Sequence, residues 1–297
     1  MSFINSNDIN NIDNIYKLEY NIEKDRIVFA DNFNKPLLEY NNIISQRSIL
    51  YFGNNFNQEL LYLTPNIKQI IFGKKFNKSL DNLPDNIESI IFVADAEFYY
   101  PLNYLNNNIK EFILNDNYDN KIKKFPYYLE KLKLGKNYIY EINEYPPNLK
   151  YLDIGENYNF PLENLPPTLE TLIISGNFYN RIDYPPNLRF LILGPNLENS
   201  FELINLPQNL IYLALSNNYN LIIEKLPDSI MCIYLGDNYN GEIKEYPKNL
   251  TKLKLSKNFK YYIPEIPENL KKIELYSNYI FLEDLIFKFS NIEIIQL

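Results

Sequence analysis

The chain of 297 residues contains no histidine and a single cysteine, Cys232. Without histidine, Ser-His-Asp and Cys-His nucleophile systems and His-ligated metal sites are excluded within this chain. One cysteine permits no internal disulfide and fits a reducing compartment. We therefore expect no cofactor and no metal.

Basic clusters and long apolar runs are also missing. The densest basic cluster is Lys121–Lys124, and the formal net charge of −8 argues against a nucleic-acid partner. No apolar run approaches the roughly 20 residues of a membrane span, and Met1–Asp8 contains no apolar signal core. We expect a cytoplasmic protein with neither nucleic-acid nor membrane partners.

What the chain does have is one repeated unit. Residues Tyr145–Tyr158 read Tyr-Pro-Pro-Asn-Leu-Lys-Tyr-Leu-Asp-Ile-Gly-Glu-Asn-Tyr, and Leu165–Phe178 repeat that pattern 20 residues later. The last apolar residue of each Leu-x-Leu unit recurs in steps of 19–23 residues. It falls at Phe29, Phe52, Phe72, Phe92, Leu114, Leu134, Ile154, Ile174, Leu193, Leu215, Leu235, Leu255, Leu275 and Leu297.

This period predicts a mainly β fold, a right-handed leucine-rich-repeat solenoid with a parallel β-sheet on its concave face. One proline per coil leaves no room for a long helix, so Pro-containing extended or 3₁₀ segments are expected on the convex face. Residues 26–297 would form about 14 coils. Residues 1–25, apolar partly at helical spacing over Asp8–Glu23, would form an N-terminal cap, with a small independent functional segment as the alternative.

Two further columns accompany the leucines. An aromatic column from Phe33 to Tyr279 predicts an inward spine of stacked rings, and the alternative is a row of rings for a cofactor. An asparagine column predicts a structural ladder that satisfies backbone groups where the chain leaves each strand. Its members include Asn117, Asn137, Asn157, Asn177, Asn196, Asn218, Asn238, Asn258 and Asn278.

The units Phe33–Pro36, Phe56–Glu59 and Phe76–Ser79 begin with Phe-Asn and lead to Leu-Pro-x-Asn-Ile segments. In this the chain resembles the FNIP-type leucine-rich-repeat proteins of social amoebae and of giant viruses of amoebae. The resemblance implies a protein-binding solenoid, and for a viral protein it implies the host cytoplasm. Relatives with an F-box select substrates for ubiquitin ligases, which implies that role as an alternative function here.

Residues that face outward from the strands are the candidates for contact, because the repeat pattern does not constrain them. Exposed apolar and aromatic surface marks protein contacts, although high β-propensity alone also places such residues on strands. The candidate partner-binding residues are Tyr151, Thr171, Ile173, Phe190, Ile192, Tyr212 and Tyr234. The candidate self-association residues are Tyr51, Ile71, Ile91, Ile113 and, on an open C-terminal edge strand, Ile294 and Leu297.

No catalytic constellation accompanies these residues. Cys232 has no recognisable cationic neighbour to activate it, and acidic pairs such as Glu283 and Asp284 are expected by chance among many surface acids. The sequence therefore predicts a non-enzymatic protein-interaction module. The alternatives are a self-associating structural component such as a homodimer, a ubiquitin-ligase substrate-recognition subunit, and a glycan-binding protein that uses the tyrosine-rich face.

Overall fold

The described residues form a single sheet of 15 strands in strict sequence order. The computed structural model describes residues 19–61, 63–176, 178–194, 203, 205–263, 265–289 and 291–297. Short helical segments are a 3₁₀ turn at Leu37–Tyr40, helix α1 at Asn41–Ile44 and helix α2 at Leu282–Lys288. The strands are β1 Tyr20–Glu23, β2 Arg26–Phe29, β3 Ile49–Tyr51, β4 Gln69–Phe72, β5 Ser89–Phe92, β6 Glu111–Ile113, β7 Lys131–Lys133, β8 Tyr151–Asp153, β9 Thr171–Ile174, β10 Phe190–Leu193, β11 Tyr212–Ala214, β12 Cys232–Tyr234, β13 Lys252–Lys254, β14 Lys272–Leu275 and β15 Glu293–Gln296.

From β2 onward every neighbouring pair of strands is parallel, as the repeat predicts. Leu132, Leu152 and Leu172 lie opposite one another on β7, β8 and β9, and each is fully buried. Burial of each such side chain stabilises the fold by about 1.5–3 kcal/mol. The leucine-rich-repeat solenoid predicted from the period is therefore confirmed.

The first strand departs from the rest. Strand β1 pairs antiparallel with β2, with Tyr20 opposite Phe29. The helical spacing read over Asp8–Glu23 is wrong for Tyr20–Glu23, which is extended and covers the edge of the first coil. The remainder of that stretch, and residues 1–18 of the predicted cap, lie outside the described residues.

Proline closes each coil by making a tight turn just before the next strand. The N–H of Leu149 donates to the carbonyl oxygen of Pro146 at 3.2 Å, and the N–H of Leu169 donates to Pro166 at 3.0 Å. The same turn recurs at Pro207, Pro227, Pro247 and Pro267. These single turns replace a helix, because proline lacks the N–H that a helix needs.

The aromatic column is an inward spine, as predicted. The rings of Phe33, Phe56 and Phe76 are buried and stack at centroid distances of 5.9 and 6.1 Å. From Tyr118 onward tyrosine dominates, and the hydroxyl oxygen of Tyr138 accepts a hydrogen bond from the N–H of Ile122 at 3.3 Å. A buried hydroxyl needs such a partner. The enclosed rings leave no row for a cofactor.

The predicted asparagine ladder forms, but at the surface. The Nδ2 of Asn137 donates to Oδ1 of Asn117 at 3.4 Å, and Nδ2 of Asn157 donates to Oδ1 of Asn137 at 3.1 Å. Asn137 and Asn157 are exposed, and these bonds join side chains to one another, not to the backbone groups that the ladder was expected to satisfy. Equivalent side-chain bonds join Asn218, Asn238 and Asn258, while Asn278 donates to the carbonyl of Lys257. Asn177 and Asn196 lie outside the described residues.

Two other asparagine rows do serve the backbone. In one row, Oδ1 of Asn34 accepts the N–H of Asn57 at 2.8 Å, and Oδ1 of Asn57 accepts the N–H of Asn77 at 3.0 Å. In the other row, Nδ2 of Asn187 donates to the carbonyl of Pro167 at 2.8 Å. Each asparagine thus joins its coil to the coil before or after it.

Glycine after a strand permits close contact between coils. A Cβ on Gly135 would lie 1.8 Å from the carbonyl oxygen of Asn115 in the preceding coil. Gly155 also has a φ of +74°, a conformation in which only glycine is unstrained. Glycine therefore meets two requirements at this point of the coil, a positive φ at Gly155 and space for a carbonyl of the preceding coil at Gly135.

The last strand is shifted by one residue from the predicted register. Ile294 lies opposite the inward Ile273, and Gln296 lies opposite Leu275, so Ile294 is packed against the core and Ile295 occupies the outward position. The assignment of Ile294 as an outward self-association residue, and of Leu297 as the last inward residue, is wrong. Two adjacent isoleucines give no alternation from which the register could be read.

Candidate functional site

The candidate site is the solvent-facing side of the sheet, which we call the sheet face. It consists of two outward columns, and every predicted partner-binding residue lies in one of them on the consecutive strands β8 to β12. In the first column Phe190 lies between Thr171 and Tyr212, and in the second Ile192 lies beside Ile173. The structure thus brings these residues together, and their role in binding stays a prediction.

Three rings at the centre of this region form what we call the aromatic strip, Phe190, Tyr212 and Tyr234. The ring centroids of Phe190 and Tyr212 are 6.0 Å apart, and those of Tyr212 and Tyr234 are 5.2 Å apart. All three side chains are half-buried. Burial raises the pKa of the Tyr212 hydroxyl, so this group stays neutral and can donate a hydrogen bond. Neighbouring rings with polar tips are typical of protein contact surfaces.

Cations border the aromatic strip at both ends. The guanidinium carbon of Arg189 lies 5.9 Å from the ring centroid of Phe190, and Nζ of Lys252 lies 4.8 Å from that of Tyr234. Hydrogen bonds to Glu274 and to Tyr234 raise the pKa of Lys252, which keeps this lysine charged. The strip therefore combines apolar area with fixed positive charge.

Towards the N-terminal side the first outward column becomes polar. Nε2 of Gln69 donates to Oγ of Ser89 at 2.9 Å, and Ser89 donates to Oε2 of Glu111 at 2.7 Å. Nζ of Lys131 lies 2.9 Å from Oε1 of Glu111. Burial raises the pKa of Glu111, but the hydrogen bonds from Lys131 and Ser89 outweigh it, and the net pKa is below the ordinary value. These groups satisfy one another and offer little to a partner.

Among the described residues of the sheet face, Asp153 is the carboxylate with strong burial, with only 6 % of its surface exposed. Its Oδ1 accepts the N–H of Gly155 at 3.2 Å, and Nζ of Lys133 lies 3.6 Å from Oδ2. Burial is the main influence and raises the pKa of Asp153, against the opposing effects of Gly155 and Lys133. Asp153 is thus a partly desolvated acid between Lys133 on β7 and Ile173 on β9.

The residues just before the strands form a third column, the rim column, which sequence reasoning missed. Its backbone continuity is visible where the N–H of Glu170 donates to the carbonyl of Lys150 at 2.9 Å. Alternation of charge at 20-residue spacing was the available signal. The rim column runs Lys68, Glu88, Lys110, Glu130, Lys150, Glu170, Arg189, Ile211 and Met231.

The candidate self-association residues occupy the other half of the sheet face. Tyr51, Ile71, Ile91 and Ile113 lie on adjacent strands β3 to β6 in register, and all are half-buried. We call them the isoleucine patch. At one end it borders Lys133 in the same column, which lies opposite Ile113 on β7.

The described part of the chain shows little suited to catalysis or to metals. Cys232 is half-buried on the sheet face, and among the described residues no group of three or more Cys, Asp or Glu side chains could hold a metal ion. None of the helices in the described ranges is long and apolar enough to cross a membrane.

Comparison with known proteins agrees with this geometry. A family model described as the FNIP repeat matches residues 56–94. A search of curated proteins finds no match. Among solved structures, the circular leucine-rich-repeat protein CroV588 of a giant virus is similar with a TM-score of 0.56 and 23 % identity over 88 % of this chain and 51 % of that chain. The chain therefore spans about half the length of CroV588.

A second solved structure, YopM from Yersinia enterocolitica WA-314, is 18 % identical over 85 % of this chain and 69 % of that chain, with a TM-score of 0.41. Leucine-rich-repeat folds generally mediate protein interactions and are typically non-enzymatic. The repeat match and the parallel solenoid agree with the resemblance read from the Phe-Asn units. Residues 56–94 thus match the FNIP repeat, and the fold is a leucine-rich-repeat solenoid.

Proposed function

We propose that the protein is a non-enzymatic interaction module that binds a partner protein through the aromatic strip and its neighbours on strands β8 to β12. The observation that carries this proposal is the row of Phe190, Tyr212 and Tyr234, whose rings lie 6.0 and 5.2 Å apart on an otherwise solvent-facing sheet. Neighbouring half-buried aromatics supply large contact area at low cost in side-chain entropy. The remaining candidates Tyr151, Thr171, Ile173 and Ile192 flank them.

The test compares wild type with the double variant Phe190→Asp and Tyr212→Asp in selection from a displayed library of amoebal protein fragments. We expect fragments selected by wild type to lose binding to the double variant and to keep binding to Tyr128→Asp, a matched aromatic change on a side chain exposed outside the sheet face. An unchanged thermal midpoint for both variants shows that the change is local. Fragments that bind the double variant as well as wild type would refute the proposal.

Self-association is a second candidate, favoured by the isoleucine patch. Its four apolar side chains line up across β3 to β6, and apolar contact between two copies would remove them from water. Light scattering across a concentration series tests this, with Ile91→Asp expected to abolish any dimer. A mass equal to 35.4 kDa at all concentrations argues against self-association.

The role in ubiquitin-ligase substrate selection comes from the resemblance to F-box relatives alone. Co-purification of a ligase scaffold with the tagged full chain would support it, and its loss in the double variant would connect it to the aromatic strip. Glycan binding by the tyrosines would show as retention on a glycan array.

A further inference from the structure

The rim column pairs its charges over most of its length. Nζ of Lys68 lies 3.2 Å from Glu88, and Nζ of Lys110 lies 2.8 Å from the same carboxylate. Nζ of Lys150 lies 2.7 Å from Glu130. Each of these contacts joins residues of adjacent coils, so the charges of this part of the column are largely neutralised by one another.

This pairing stops beside the aromatic strip. Glu170 and Arg189 follow next in the column, and neither forms an ion pair with another described residue. Beyond Arg189 the column becomes apolar at Ile211 and Met231. Arg189 is exposed and directly precedes Phe190, so its positive charge lies where the rim meets the strip.

A groove lies at the same place. Its volume is about 550 Å³, which is enough for a side chain and its hydration. We call it the rim groove, and its lining is Lys150, Thr168, Glu170, Asn187, Arg189, Asn209 and Ile211. The side-chain amides of Asn187 and Asn209 already donate to carbonyls of Pro167 and Pro186. Arg189 is therefore the strong donor in the groove that remains available.

Charge beside the strip favours an acidic partner over a basic one. The pKa of Lys150 is raised mainly by Glu130 and also by Glu170. The positive charge of Lys150 therefore offsets part of the negative charge of Glu170. Arg189 lies next to Glu170 in the column but forms no ion pair with it or with any other described carboxylate. At the other end of the strip Nζ of Lys252 lies over the Tyr234 ring and 2.7 Å from Oε1 of Glu274. Lys254 lies opposite Glu274 on the next strand, so more than one lysine faces this single carboxylate.

We propose that the partner contributes an extended segment in which an acidic residue lies next to aromatic or aliphatic residues. The carboxylate enters the rim groove and accepts hydrogen bonds from the Arg189 guanidinium, while the apolar side chains cover Phe190 and Tyr212. A guanidinium–carboxylate contact of this kind fixes the register of the segment. This inference rests on the proposed function, because it uses the same strip.

The probe is a displayed library of random twelve-residue peptides selected on the full chain and counter-selected on Phe190→Asp. Selected peptides are then labelled and titrated by fluorescence anisotropy. We expect an Asp or Glu within three residues of an aromatic or aliphatic residue. Arg189→Gln should weaken binding by about 10–100-fold, as loss of a charge-assisted pair does.

Two variants make the sign of the partner charge measurable. Glu170→Gln removes a negative charge next to the incoming carboxylate and should tighten binding by about two- to fivefold. Lys110→Gln is the matched control, because it also introduces glutamine in the rim column but at a residue that already forms an ion pair. It should change the affinity less than twofold.

Each outcome has a definite meaning. Selection of basic peptides, weakening by Glu170→Gln, an unchanged affinity for Arg189→Gln, or recovery of no peptide overturns the inference. If Tyr212→Asp abolishes binding while Arg189→Gln does not, the proposed function stands and only this inference falls. If neither variant weakens binding, both fall.

Discussion

Inside the core, Nδ2 of Asn115 donates a hydrogen bond of 2.9 Å to the main-chain oxygen of Ala96 in the preceding coil. Asn115 is fully buried, whereas the predicted ladder residue Asn117 only two positions later is not. Asn115 is thus the residue that carries out the function assigned by sequence to the ladder, satisfaction of a backbone carbonyl within the solenoid.

Replacement of Asn115 by alanine should therefore lower the free energy of unfolding by about 1–3 kcal/mol, since the Ala96 carbonyl would lose its donor in a buried setting. The matched change Asn137→Ala affects two exposed side-chain contacts and should cost less than about 0.5 kcal/mol. Urea unfolding followed by circular dichroism measures both. Equal costs for the two variants would contradict this difference.

Asn115 and Asn117 show which features of the fold can be predicted from the sequence and which cannot. The period predicts that Leu152 and Phe56 point into the core and that Pro146 closes a coil. Each of these residue types suits only one environment in the repeat. Asn115 and Asn117 carry the same letter, and only the path of the backbone decides which is buried. The same holds for Arg189, because the sequence does not distinguish an arginine that forms an ion pair from one that does not.

Gly135 should not tolerate a side chain. A Cβ there would meet the carbonyl oxygen of Asn115 at 1.8 Å, and that oxygen is backbone that cannot turn away. We expect Gly135→Ala to cost about 2–4 kcal/mol, measured as a fall in the thermal midpoint. Asn137→Ala, two positions later in the same coil, serves as its control. A midpoint like that of wild type would show that the coils can separate at this point.

The spine changes from phenylalanine to tyrosine along the chain, and this predicts that removal of a paired hydroxyl and addition of an unpaired one both lower stability. Tyr138→Phe leaves the N–H of Ile122 without its acceptor and should cost about 1 kcal/mol. Phe76→Tyr adds a hydroxyl to a ring that is fully buried between Phe56 and Phe98 and should cost at least as much. Denaturant melts of both variants measure this. Improved stability in either variant would show that the position of the hydroxyl partner is not decisive.

Asp153 predicts a dependence of stability on pH. Burial raises the pKa of Asp153 in the folded chain above the ordinary 3.8. The protonated carboxyl therefore contributes stability that is fully present below pH 3.8 and is lost as the pH rises through the raised pKa. We expect Asp153→Asn to be more stable than wild type at pH 7, because Oδ1 can still accept from Gly155. The difference should shrink as the pH falls towards 4.

Glu111 gives the opposite sign and serves as the control. Its pKa lies below the ordinary 4.5 because the bonds from Lys131 and Ser89 outweigh burial, so its contribution is present above pH 4.5 and is lost as the pH falls. Glu111→Gln should be less stable than wild type at pH 7, with a smaller difference at low pH. Chemical denaturation at several pH values measures both, and the same sign for both variants would contradict the assigned environments.

Each strand from β2 to β14 is bonded only to the strand before it and the strand after it in sequence. If the two ends of the molecule were pulled apart, the coil at an end could peel away without disturbing any coil beyond its neighbour. Each release would free close to 20 residues, or roughly 70 Å of extended chain. The solenoid should therefore behave under tension as a series of nearly equal extensible steps, and it should rewind coil by coil when the load is removed.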